Sequence, residues 1–212
     1  MSDNGGGRGE GILRFVLATA NPDKAAEIVA IVDEVARGRI ELVVRPAGLP
    51  EVDETGDTLE ENALLKARAL VEATGLPAIA DDTGLEVEAL GGAPGVRSSR
   101  YSGEHASYDD NVAKLLAELD AAGAHDEASR RARFRTVAVA CFPGGRQVVA
   151  EGAVDGHIAP ARRGEAGFGY DPVFVPDGYS ATFAEMTPAQ KHTCSHRGRA
   201  VRALAVGLVS PP

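Results

Sequence analysis

The sequence predicts an α/β fold, a mixed β-sheet flanked by helices, and three patterns carry that expectation. Short apolar runs alternate with helical periodicity in the N-terminal part of the chain. A β-hairpin pattern occupies its middle. No internal repeat and no Pro/Ser-rich linker divides it, which favours one cooperative unit spanning 12–212 behind a Gly-rich flexible tail at 1–11. Residues 12–18 (ILRFVLA) are a short apolar run suited to a buried strand. Asn21 then stands as N-cap with Pro22 at the first helical position, and Ile28, Ile31, Val32 and Val35 share one helix face. Residues 40–44 read as a second strand. Thr58 and Glu61 form a capping box for a helix running to about Gly75. Residues 77–80 read as a strand entering Asp81-Asp82-Thr83-Gly84.

The dense Gly/Pro stretch at 91–95 predicts a turn. Ser107 caps a helix with Val112, Leu115, Leu116 and Leu119 at helical spacing. Residues 134–142 and 147–154, joined through Pro143-Gly144-Gly145, predict the hairpin. A last capping box, Thr187 with Gln190 around Pro188, opens a helix expected to continue towards Leu208.

Composition narrows the function. The chain has 212 residues, 44% hydrophobic and 25% charged, which is ordinary globular composition. No apolar run reaches the roughly 20 residues of a membrane helix, so no membrane partner is expected. The net charge of −9, from 31 acids and 22 bases, argues against a large nucleic-acid footprint. A polyanionic ligand would therefore need a locally basic or metal-filled pocket. Cys141 and Cys194 have no CxxC spacing, which points to a reduced, cytoplasmic protein.

Five segments concentrate chemistry. Thr19-Ala20-Asn21-Pro22-Asp23-Lys24 lies between a strand and a helix N-terminus, where free N–H groups, the helix dipole and Lys24 suit a phosphate. The plain alternative is a capped helix with a surface lysine, and no Walker A loop occurs in the chain. Asp81 and Asp82 close an apolar strand as adjacent, mutually repelling carboxylates, a pairing that Mg²⁺ relieves; an Asx turn is the plain alternative. The acids Glu51, Asp53, Glu54 and Asp57 precede a helix on which Asn62 and Lys66 share a face, an arrangement suited either to a metal–phosphate cleft or to dipole compensation. The Gly-rich stretch 164–172 lacks the dinucleotide GxGxxG order, but Phe168 could stack a base while Asp171 reads its edge. Finally, His192 and His196 are four apart without the Glu or third ligand of a zinc site, whereas His196 and Arg197 are donors suited to carbonyl acceptors.

Taken together, LATANPDK, ETGDTLEENALLKA, PAIADDTGLEVEALGGAPGVRSSRYSG, GFGYDPVF and KHTCSHRG resemble the non-canonical purine nucleoside triphosphate pyrophosphatases, the inosine triphosphate pyrophosphatase family. The resemblance covers nearly the whole chain outside the Gly-rich start. It implies an elongated two-lobed fold with a cleft between lobes, a homodimer, and Mg²⁺-dependent cleavage of purine nucleoside triphosphates such as ITP, dITP and XTP to monophosphate and pyrophosphate. It makes Thr19, Ala20, Asn21, Pro22, Asp23 and Lys24 the triphosphate- and sugar-contacting loop. Asp82 becomes the general base, and Asp82, Asp81 and Asp53 the metal carboxylates. Thr83 touches substrate and Lys66 lies along the phosphates. Phe168, Gly169, Tyr170, Asp171, Lys191, His196 and Arg197 line the base pocket. The chain departs from the family pattern in Ala20 for Gly, Thr83 for Ser and Asp53 for Glu, with Glu54 the nearby substitute for the last. Outside this family, the same residues would suit a pyrophosphatase for other modified nucleotides or a nucleotide-sensing module without turnover.

Overall fold

The computed structural model describes residues 11–210. All but the last residue of the Gly-rich stretch expected as a tail lie outside them. One seven-stranded sheet organises the chain, in the order β2-β1-β3-β5-β6-β7 with β4 attached to β3. The strands are β1 Leu13–Leu17, β2 Ile40–Val43, β3 Ala78–Val87, β4 Pro94–Gly95, β5 Arg131–Cys141, β6 Gln147–Ile158 and β7 Phe174–Pro176. The helices are α1 Pro22–Ala36, α2 Leu59–Thr74, α3 Tyr108–Ala121, α4 Pro188–Cys194 and α5 His196–Val209. β1 runs parallel to β2 and β3, while β3, β5, β6 and β7 are antiparallel to their sequential neighbours in the order. The mixed sheet is as the sequence predicts.

The caps form as their chemistry demands. The Asn21 side chain accepts from the backbone N–H groups of Asp23 and Lys24. Thr58, Ser107 and Thr187 close reciprocal capping boxes with Glu61, Asp110 and Gln190. Three expectations are corrected. The strand entering Asp81 does not stop there: β3 continues through Val87, because β5 pairs with it residue for residue from Ala78↔Cys141 to Val87↔Ala132. Asp81 and Asp82 therefore point to opposite faces of the strand instead of lying side by side in a turn. The Gly/Pro stretch is a turn only in part, since Pro94 and Gly95 pair with Glu86 and Leu85. The last helix also breaks. Ser195 is extended (φ −73°, ψ 157°), its N–H ends α4 on the Lys191 carbonyl, and its side chain caps α5 at Gly198.

Three apolar clusters fill the molecule. Ile79 and Ala138 meet α1 and α5 on one face of the sheet, and Ala78, Ala80 and Val139 meet α2 on the other. At the far end of the long strands, Leu85, Val87, Phe134 and Val154 pack with α3, Phe174 and Phe183. The two halves thus share β3 and β5. Between them, on one edge of β3, there is a gap: β1 pairs only with Ala78 and Ile79, β4 only with Leu85 and Glu86. Residues 80–84 have no strand partner on that edge, and the candidate site sits there.

Candidate active site

A cavity of about 740 Å³ opens at this gap. Its walls include Thr19, Ala20, Asn21 and Lys24 after β1, Lys66 from α2, Asp81 and Thr83 from β3, the Phe168 loop, and His196 and Arg197 from α5. Pro22 and Asp23 are exposed and off the wall, as expected for the first turn of a helix whose N-cap faces the cavity.

Strand alternation assigns each carboxylate its own cations. On the α1/α5 side, Asp81 Oδ2 accepts from Arg197 Nε at 3.1 Å, with Lys24 Nζ 4.0 Å away. On the α2 side, Asp82 Oδ1 accepts from Lys66 Nζ at 2.8 Å. The same ammonium donates to Glu54 Oε1 at 3.0 Å, and Arg100 clamps Glu54 from behind at 3.1 Å. Burial works against the Asp81 charge, but Lys24, Arg197 and Lys66 outweigh it and hold the carboxyl well below the ordinary range. For Asp82 burial prevails: with Glu54 nearby adding like charge, its pKa stands above that of an ordinary aspartate despite Lys66. Burial likewise opposes charge on Lys66, yet Asp82, Glu54 and Asp81 keep its ammonium more firmly protonated than usual. Lys24 goes the other way, because desolvation exceeds what Asp81 returns.

Asp53 is exposed and absent from the wall, whereas Glu54 faces Lys66. The structure therefore brings Glu54, rather than Asp53, to the carboxylate group. Asn62, fully buried, accepts from the Gly56 N–H at 2.8 Å and pins the acidic loop, so it acts on that loop and not along the cavity. Among the described residues no three His, Cys, Asp or Glu side chains converge as a ready-made metal cage. Mg²⁺ needs no such cage, since one or two carboxylates suffice when waters and phosphate oxygens complete its shell. Asp81 Oδ1 and Asp82 Oδ2 are buried oxygens without a hydrogen-bond partner, so the donor chemistry fits.

The other end of the cavity is aromatic and cationic. Gly167 holds a positive φ (75°) where a Cβ would collide with the Asp171 carboxylate, and that tight turn lets Asp171 accept from the Phe168 N–H at 2.8 Å. Lys191 Nζ donates to Asp171 at 2.6 Å and lies 4.9 Å from the Phe168 ring centre. Phe168 and Gly169 are half-exposed and free to meet a ligand; Tyr170 is a core residue whose hydroxyl donates to the Ser98 carbonyl at 2.9 Å. Burial raises the Asp171 carboxyl above its usual value against the pull of Lys191.

His196 stacks on Phe134 with ring centres 4.3 Å apart and an interplanar angle of 11°. Burial, then Arg197 and Lys191, hold it well below the usual histidine value, so it is neutral, and its Nδ1 has no partner. Arg197 donates to Asp81, to Glu27 at 2.6 Å and to Thr83 at 3.2 Å, leaving two of its five N–H groups. The break at Ser195 separates His192 from this group, which removes the i,i+4 histidine pair. It also requires Gly198, where a Cβ would strike the His192 carbonyl.

Sequence reasoning did not pick out Glu27, which accepts from both Lys191 (2.5 Å) and Arg197 (2.6 Å). Arg100, Thr136 behind Thr83, Phe134 and Tyr108 were missed too. The one available signal was for Glu27, an acid one turn after Lys24 on the same helix.

Similar proteins lead to one place. The model of the Ham1 family matches residues 15–206. A dITP/XTP pyrophosphatase of Caulobacter vibrioides is 45% identical over 92% of this chain and 97% of its own. One of Lactiplantibacillus plantarum is 48% identical over 90% and 92%. Among solved structures, a HAM1 protein from Coxiella burnetii superposes with a TM-score of 0.82 at 39% identity, covering 93% of this chain and 98% of that one. Sequence and fold agree: the chain belongs to the Ham1 family.

Proposed function

We propose that this protein hydrolyses non-canonical purine nucleoside triphosphates (ITP, dITP and XTP) to the monophosphate and pyrophosphate, and so clears them from the nucleotide pool. The observation that carries this reading is one cavity with Asp81, Glu54, Lys24 and Lys66 on its wall at one end and an aromatic loop at the other, with Asp82 joined to it through its ion pair to Lys66. The printed names of the relatives support it. Asp81, Asp82 and Glu54 are the residues that would hold Mg²⁺, which when bound neutralises phosphate charge and favours attack at phosphorus.

Within that frame the chain's own groups divide the work. The Asn21 cap and the α1 N-terminus place the phosphates near Lys24. Asp82 takes the proton of the water that attacks the α-phosphorus, and its raised pKa makes it a better proton acceptor than an ordinary aspartate. Lys66, already on Asp82, and Lys24 stabilise the pyrophosphate as it leaves. The two remaining Arg197 N–H groups and the single N–H of a neutral His196 are the donors suited to a 6-keto oxygen. Adenine presents an amino group there, and facing donors cost binding. A cytoplasmic homodimer without nucleic-acid or membrane partners completes the reading. The net charge of −9 argues against a nucleic-acid partner.

The test is a panel of triphosphates with Mg²⁺ and chromatography of the products. The expected result is monophosphate and pyrophosphate from ITP, dITP and XTP, with ATP and GTP slow. Stepwise release of orthophosphate, or equal rates on ATP, would overturn it.

A further inference from the structure

Tyr108 is not accounted for by any step above. It is the first residue of α3, directly after the Ser107 cap, and it lines the cavity. Its hydroxyl accepts from Asn21 Nδ2 at 2.6 Å, across the cleft from α3. Its ring stands 5.9 Å from that of Phe168, tilted by 39°. The next residue, Asp109, pairs with Arg162 at 2.7 Å, on the segment that leads to Phe168. Tyr108 thus spans the mouth of the cavity, tied to the phosphate loop at its hydroxyl and facing the aromatic loop with its ring.

We infer that Tyr108 is the second wall of the nucleobase slot, so that a bound purine lies between the rings of Phe168 and Tyr108. This rests on the function proposed above. A planar base between two parallel rings needs about 7 Å between their centres, the upper end of aromatic pair spacing. The observed 5.9 Å is short by about one ångström, and the tilt must close. A small swing of the Tyr108 side chain achieves both, because the ring is 40% exposed and sits at the start of its helix rather than in the core. Stacking is indifferent to the pattern of donors and acceptors on the base edge, since every base offers a π-face. Tyr108 therefore sets how tightly a nucleoside is held, while discrimination stays with the α5 donors.

The chain has no Trp and 4 Tyr, so the part of a tyrosine quench that Tyr108→Phe removes belongs to this ring. The probe is the α,β-methylene analogue of ITP with Mg²⁺, which cannot be split at the α–β bridge. The wild-type protein should show tyrosine quenching on binding. Tyr108→Phe should bind within about twofold of wild type by calorimetry but lose most of the quench, because a stacking ring remains and the reporting phenol is gone. Tyr108→Ala should raise KM for ITP and XTP alike by about tenfold, within the range of a lost base–aromatic stack, with kcat within about twofold. Unchanged KM in Tyr108→Ala, a lower KM, or full quenching in Tyr108→Phe would overturn the inference. Failure of the wild-type protein to bind the analogue or to split ITP would overturn the proposed function itself, a distinct result.

Discussion

Asp81 and Asp82 are neighbours in sequence, identical in chemistry and almost equally buried, yet the fold gives them opposite properties. Asp81 faces α1 and α5, where Lys24 and Arg197 fix it as a permanent anion. Asp82 faces α2, where one lysine is shared with Glu54 and burial prevails. The pleat of a single strand thus separates a carboxylate held charged by two cations from one whose pKa is raised by burial, which two carboxylates in a common turn could not do. The difference lies in the neighbouring helices and not in the aspartates themselves.

Four measurements break or sharpen that contrast. Asp82→Asn should lower kcat for ITP by at least about a hundredfold at saturating Mg²⁺, since an amide accepts no proton; near-wild-type turnover would remove Asp82 from the chemistry. Asp81→Asn should act on stability, because it takes the carboxylate from buried Lys24 and leaves Arg197 with that of Glu27 alone. A loss of about 3 kcal/mol in urea unfolding is expected, and a smaller one for Asp82→Asn, in which Lys66 keeps Glu54 and burial already disfavours the lost charge. Equal losses would mean the two faces are not distinct. Glu54→Gln should raise the Mg²⁺ needed for half-maximal rate by about tenfold and Asp53→Asn should leave it within about twofold; the reverse order would return Asp53 to the site. The smallest effect concerns His196. Its folded pKa is depressed, so below the unfolded value of about 6.5 only the unfolded chain takes the proton, and stability falls as pH falls. His196→Gln should flatten the fall between pH 6.5 and 5.5 by about 1 kcal/mol. A slope identical to wild type would show that His196 titrates normally.

Much of this was legible beforehand, for definable reasons. Caps are local chemistry, so Asn21, Thr58, Ser107 and Thr187 marked helix starts that the structure confirms. Lys24, Lys66, Thr83 and Arg197 were found because their motifs are short and contiguous. The extent of β3 was not legible, since Asp-Asp-Thr-Gly looks like a turn until β5 pairs with all of it. Register across the sheet is a non-local fact, and without it the strand could not be seen to run past Asp82 and put the two aspartates on opposite faces. The break at Ser195 escaped for the same reason: a serine in a helical pattern declares itself a cap only once α5 has somewhere else to go. Glu27 and Arg100 carry no motif, and only packing shows that one meets Lys191 and Arg197 and the other Glu54.

The uninterrupted pairing of β3 with β5 has a mechanical consequence. Ten consecutive residue pairs run from beneath α2 to beneath α3, so both halves of the molecule hang on the same ribbon. A protein whose lobes meet at a linker can shut by swinging about a few backbone torsions; this one has no such pivot along its central strands. Accommodation of a ligand is left to side chains and to the ends of connecting segments. The central ribbon holds the cavity's floor, and what gives way to a ligand must be found at the rim.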